Sequence, residues 1–130
     1  MKKITPIALG VILIATITGC RKDSTLIIQP QAVAVTNAVS FSNDMVPIFT
    51  KNCALSGCHA DGGHTPHLSA DKAFSSLMSK YIDTKTPDNS ILYKRLTGKL
   101  SPAMPMGKAS NPSNINSMVL AWIKQGAKNN

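Results

Sequence analysis

Apolar positions follow three different patterns along the chain. From Ile4 to Thr18 the run ITPIALGVILIATIT is apolar almost without a break, and it follows Lys2 and Lys3. A basic start, an apolar core and a small residue before a cut make the pattern of a secretory signal, here residues 1–19. The run is too short, and its far flank too polar, for a spanning helix. Residues 21–40, RKDSTLIIQPQAVAVTNAVS, show no helical period and little charge after Asp23. Small residues and Pro30 make them a tether, with Leu26-Ile27-Ile28 equally suited to a short strand or a packed segment.

From Phe41 onward apolar residues recur at helical spacing. Ser42 or Asn43 caps a first helix carrying Met45, Ile48 and Phe49 on one face, with Pro47 fitting only its first turn. Asp71 starts a short second helix with Ala73, Phe74, Leu77 and Met78 on its stripe. Asp88-Asn89-Ser90 caps a third, with Ile91, Leu92 and Leu96 inward and Gly98 ending it. Ser113 or Asn114 caps the last. Ile115, Met118, Val119, Trp122 and Ile123 form its apolar stripe, and Gly126 stops it. No stretch alternates as a strand pair would. The expectation is an all-α domain over 41–128, with short helices and long loops. Its core is thin. Burial worth roughly 25 cal/mol per Å² must offset an ordering cost of about 1.5 kcal/mol per residue, so such a domain calls for a staple.

Length and charge narrow the function. The 130 residues suffice for one small domain. From Cys20 onward 12 Lys and Arg stand against 6 Asp and no Glu, a net charge of +6. The basic residues are scattered, and neither a nucleic-acid module nor interleaved aromatics accompany them. The charge suits a solvated surface, or one that meets an acidic partner or anionic lipid.

Three cysteines remain to be placed. Ile17-Thr18-Gly19-Cys20 resembles the lipobox of bacterial lipoproteins. That resemblance implies lipid on Cys20, which becomes the new N-terminus at residues 20–40. Arg21 stands where aspartate marks inner-membrane retention, so the outer membrane is preferred, with the domain in the periplasm or at the surface. Cys53 and Cys58 are left as a pair within CALSGCH, in a compartment where idle thiols oxidise. In c-type haem attachment two cysteines bond the porphyrin and the histidine after the second ligates the iron. Here the spacer has four residues instead of two, but Cys58-His59 is intact, and Ser56-Gly57 suits a tight turn that loops out the extra length. A Cys53–Cys58 disulfide is also sterically possible and gives His59 no role. A zinc site would add His59, His64 or His67, without regular ligand spacing.

A haem iron in an electron carrier takes a second axial ligand. SPAMPMGK, 101–108, holds Met104 and Met106 in a proline-bounded loop with no helical face to pack. Met78 and Met118, on helical stripes, read as core filler. Met104 lies 45 residues past His59, far enough to wrap round a ring edge, whereas His64 and His67 follow too closely.

With Cys53, Cys58-His59, GGHTPHL, SILYKRL, Met104-Pro105 and the terminal WIKQGA in this order, residues 41–128 resemble the small monohaem cytochromes c of bacteria. The resemblance implies a cytochrome c-like fold whose first and last helices cross near one covalent haem c, with Phe49 against Met118 and Trp122. It implies thioethers at Cys53 and Cys58, His59 as proximal ligand and Met104 as distal ligand, with Met106 second in line. The function implied is one-electron transfer between exported or membrane redox partners, not enzymatic catalysis, by a monomer. Two alternatives from other classes are a haem-based sensor with a displaceable methionine and a haem-free lipoprotein stapled by a disulfide.

Overall fold

The computed structural model describes residues 34–108 and 111–130, so the signal segment, Cys20 and residues 21–33 lie outside it. Among the described residues the chain is helical, without strands: α1 is Val46–Asn52, α2 Ala73–Met78, α3 Ile91–Leu96 and α4 Ser113–Lys124. No helix among them is long and apolar enough to cross a membrane.

A wide π-turn, Phe41–Met45, leads into α1. Its cap is Ser40, earlier than the Ser42 or Asn43 expected. The Ser40 hydroxyl accepts from the Asn43 N–H at 3.2 Å, and the Asp44 carboxylate accepts from the Ser40 N–H at 2.8 Å. This reciprocal pair resembles a capping box stretched by one residue. Pro47 supplies a reason for the stretch. Its ring has no N–H and would collide with the carbonyl four residues back in a regular helix, so the turn ahead of it widens.

The first and last helical segments do meet, but through a different ring from the one expected. Phe41 lies 5.1 Å from Trp122, 5.2 Å edge-on from Phe74 and 6.2 Å from Phe49. Phe41 is thus the hub, and Phe49 packs behind it. Met45, Leu77, Val119 and Ile123 are fully buried around these rings. Such off-parallel ring pairs add to the area they bury.

The third helix follows the expected plan, with Leu92 and Leu96 buried and Gly98 at φ +74° just past its end. Ser90 precedes it, but its buried hydroxyl accepts from the Asp83 N–H at 2.9 Å instead of capping the helix. α4 starts at Ser113, because Pro112 is extended and takes the cap position. At its other end Gly126, at φ +96°, and Ala127 donate back to Ile123 and Trp122, both at 3.0 Å, the paired bonds of a Schellman turn. α2 begins at Ala73 with no side-chain cap from Asp71.

Two readings of the sequence need correction. Met78 is not core filler: its position on the α2 stripe turns it outward and leaves it 38% exposed, while Met118 does pack on the core. The end of the stretch assigned to a tether is docked. Val39 is buried, its N–H donates to the Gln125 side chain at 2.8 Å, and the same amide donates to the Asn37 carbonyl at 2.9 Å. Asn130 accepts from the backbone N–H groups of Phe41 and Ser42.

Candidate functional site

The Cys53–His59 motif begins where α1 ends. Buried Phe49 fixes the last turn, and its carbonyl accepts from the N–H groups of both Cys53 and Ala54 at 2.8 Å. The chain then doubles back through the turn expected at Ser56-Gly57. The Cys58 N–H donates to the Leu55 carbonyl at 2.9 Å, and Gly57 takes φ +76°, a conformation that costs glycine little. The His59 N–H returns to the Cys53 carbonyl at 3.1 Å. The four-residue spacer is therefore absorbed as a closed loop, whose backbone sets His59 beside Cys53.

Cys53 and Cys58 are both free thiols in this structure. Cys58 is exposed. Cys53 is half-buried, and its thiol is pushed up to about 11, first by burial and then by the neighbouring Cys58. Among the described residues no three His, Cys, Asp or Glu side chains gather into a metal-holding group.

The His59 ring is held from behind. Its Nδ1 lies 3.0 Å from the Pro66 carbonyl oxygen and 3.1 Å from that of His64. A carbonyl only accepts, so Nδ1 carries the proton and Nε2 presents its lone pair. The loop that supplies these carbonyls is tightly folded. The His64 N–H donates to the Cys58 carbonyl at 2.7 Å, and the Leu68 N–H to that of His59 at 2.8 Å. Farther along, the His67 N–H donates to the Ser76 hydroxyl at 2.8 Å. Asp61 accepts from Lys72 at 2.7 Å and Ser69 at 2.6 Å, and these bonds hold its carboxyl below the usual range. His64 thus serves the loop through its backbone, and His67 through its backbone and through Nδ1, 3.4 Å from the Ala60 carbonyl oxygen. Sequence reasoning gave Pro66 no role of its own, because a backbone acceptor carries no side-chain signature.

Met104 comes from a different element. The strap 98–108 leaves α3, and the Met104 N–H donates to the Arg95 carbonyl at 2.9 Å. Its side chain is partly buried against the core, whereas Met106 is 72% exposed. A cavity of about 80 Å³ is lined by Val39, Trp122 and Gln125, away from both the motif and the strap.

No family model matches the chain, and neither a curated protein nor a solved structure is significantly similar to it.

Proposed function

We propose that the chain is a monohaem c-type cytochrome of cytochrome c-like fold, carrying single electrons between exported or membrane-bound partners. The observation that carries this reading is His59. Its Nδ1–H is engaged by two backbone carbonyls and its Nε2 is left as a donor, directly after two free thiols. That is the tautomer and orientation an iron-ligating imidazole needs. A structural histidine beside a disulfide would need neither.

The residues present fit the group. Cys53 and Cys58 would bond it, and His59 Nε2 would ligate its iron. Of the two methionines, Met104 is the better opposite ligand, because it is half-buried against the core and its backbone is tied to α3. Bound there, the haem supplies a one-electron couple between ferric and ferrous iron. The carbonyls of Pro66 and His64 orient the imidazole and raise its basicity through Nδ1–H. The Met104 thioether pulls the other way and favours the reduced form. With His59 and Met104 both holding the group, no position would be left for a substrate, which would favour electron transfer over oxygen or peroxide chemistry. The contact between Phe41 and Trp122 supports the fold assignment. Lys51, Lys80, Lys94, Lys99 and Lys108 pair with no described acid, and they suit an acidic redox partner. Lipid on Cys20 would keep the carrier at a membrane of the cell envelope.

The test is a denaturing gel stained for haem, run beside a pyridine haemochrome spectrum, on protein made with a c-type maturation system. The expected result is haem retained on the chain with both vinyl groups saturated. A colourless protein with both thiols oxidised overturns the proposal.

A further inference from the structure

Arg95 grips the strap that carries Met104 at two points. Its backbone carbonyl accepts from the Met104 N–H at 2.9 Å, and its guanidinium Nη1 donates to the Pro102 carbonyl at 3.0 Å. One residue earlier the Lys94 carbonyl accepts from the Leu100 N–H at 3.1 Å, so the strap is laced along the last turn of α3. Gly98, at φ +74°, turns the chain back to make this possible. Among the described residues, the Arg95–Pro102 bond is the one side-chain hydrogen bond made to 98–108. The strap's other hydrogen bonds are backbone ones, Met104 packs partly on the core, and Met106 is bare. A loop with so few ties is of low local stability unless its one charged donor is kept.

We infer that Arg95 is a positioning residue for the distal ligand: its guanidinium bond to Pro102 holds the 98–104 strap closed on α3 and so keeps the Met104 sulfur on the iron. This rests on the reading of the chain as a haem protein with Met104 as ligand. The role belongs to the directed N–H, not to charge alone, since the acceptor is a neutral carbonyl reached by a single guanidinium nitrogen. Loss of a hydrogen bond from a charged donor corresponds to about a tenfold weaker closure.

The experiment compares the holoprotein with Arg95→Leu, Arg95→Lys, Met104→Leu and the double variant R95L/M104L. Two quantities are read: the long-wavelength absorption band of methionine-ligated ferric haem, and the rate of cyanide binding. Met104→Leu is expected to abolish the band and open the iron. Arg95→Leu is expected to weaken the band and speed cyanide binding about tenfold. Arg95→Lys, which keeps a donor, falls between this and the unmodified protein. In the Met104→Leu background the Arg95→Leu change is expected to have no further effect on cyanide binding, because the ligand it positions is gone. If Met104→Leu opens the iron while Arg95→Leu changes neither quantity, the inference about Arg95 falls and the cytochrome reading stands. The same holds if the tenfold acceleration persists in the double variant. If Met104→Leu leaves both quantities unchanged, the assignment of Met104 itself is overturned and the inference falls with it. Should Arg95→Leu fail to fold, Arg95→Gln, shorter and unable to reach Pro102, is read in its place.

Discussion

Gly63 has no room for a side chain. A Cβ there would collide with the Cys58 carbonyl oxygen and lie 3.1 Å from that of Ala60, both backbone atoms. The loop would have to open, and the carbonyls behind His59 would move with it. Gly63→Ala is expected to cost about 1–3 kcal/mol, read from the urea midpoint, and to lower the haem bound per chain. Gly57 offers a comparison. An added Cβ there meets open space, so its substitution is opposed only by φ +76°, worth about 1–2 kcal/mol, without displacing the imidazole. Haem content that falls no further in Gly63→Ala than in Gly57→Ala would show that the loop does not position His59. At this scale the sequence was partly legible. CALSGCH announces its cysteines and histidine because the chemistry lies in side chains. Pro66, which holds the imidazole through a carbonyl, leaves no such mark, and neither does the Arg95 carbonyl that accepts from Met104.

The helices were legible where a stripe and a stop signal coincide, as in α4 with Trp122 on its face and Gly126 at its end. Their starts were not. Each expected cap was a plausible Ser, Asn or Asp, but the side chains found other duties: Ser90 binds Asp83, and Ser40, outside the expected helix, caps the first turn. The π-turn was invisible because a period of 3.6 residues cannot report one extra residue ahead of Pro47. Phe41, in that turn, takes the place facing Trp122 that the family resemblance implied for Phe49. Phe41→Ala is expected to cost about 3–5 kcal/mol by chemical denaturation, since it empties the space shared by three rings. Met78→Ala, on the exposed side of α2, is expected to stay within about 0.5 kcal/mol. Equal costs at the two positions would overturn this account of the core.

At the scale of the molecule, the helical class followed from spacing alone, while the packing of Phe41 on Trp122 required the fold itself. The anchor is read from Ile17-Thr18-Gly19-Cys20, outside the described residues. Cys20→Ala is expected to move the protein from the membrane fraction to the soluble one, seen by fractionation and immunoblot, and continued retention would reject lipid at this position. The docking of residues 37–42 onto the chain's other end adds a mechanical consequence. Gln125 holds Asn37 and Val39, and Asn130 holds Ser40, Phe41 and Ser42. Tension arriving from the N-terminal side is therefore taken up first by these bonds and passed to the end of α4. The loop behind His59 lies beyond that clamp, so a pull from the N-terminal side would leave the imidazole and the carbonyls that hold it unstrained.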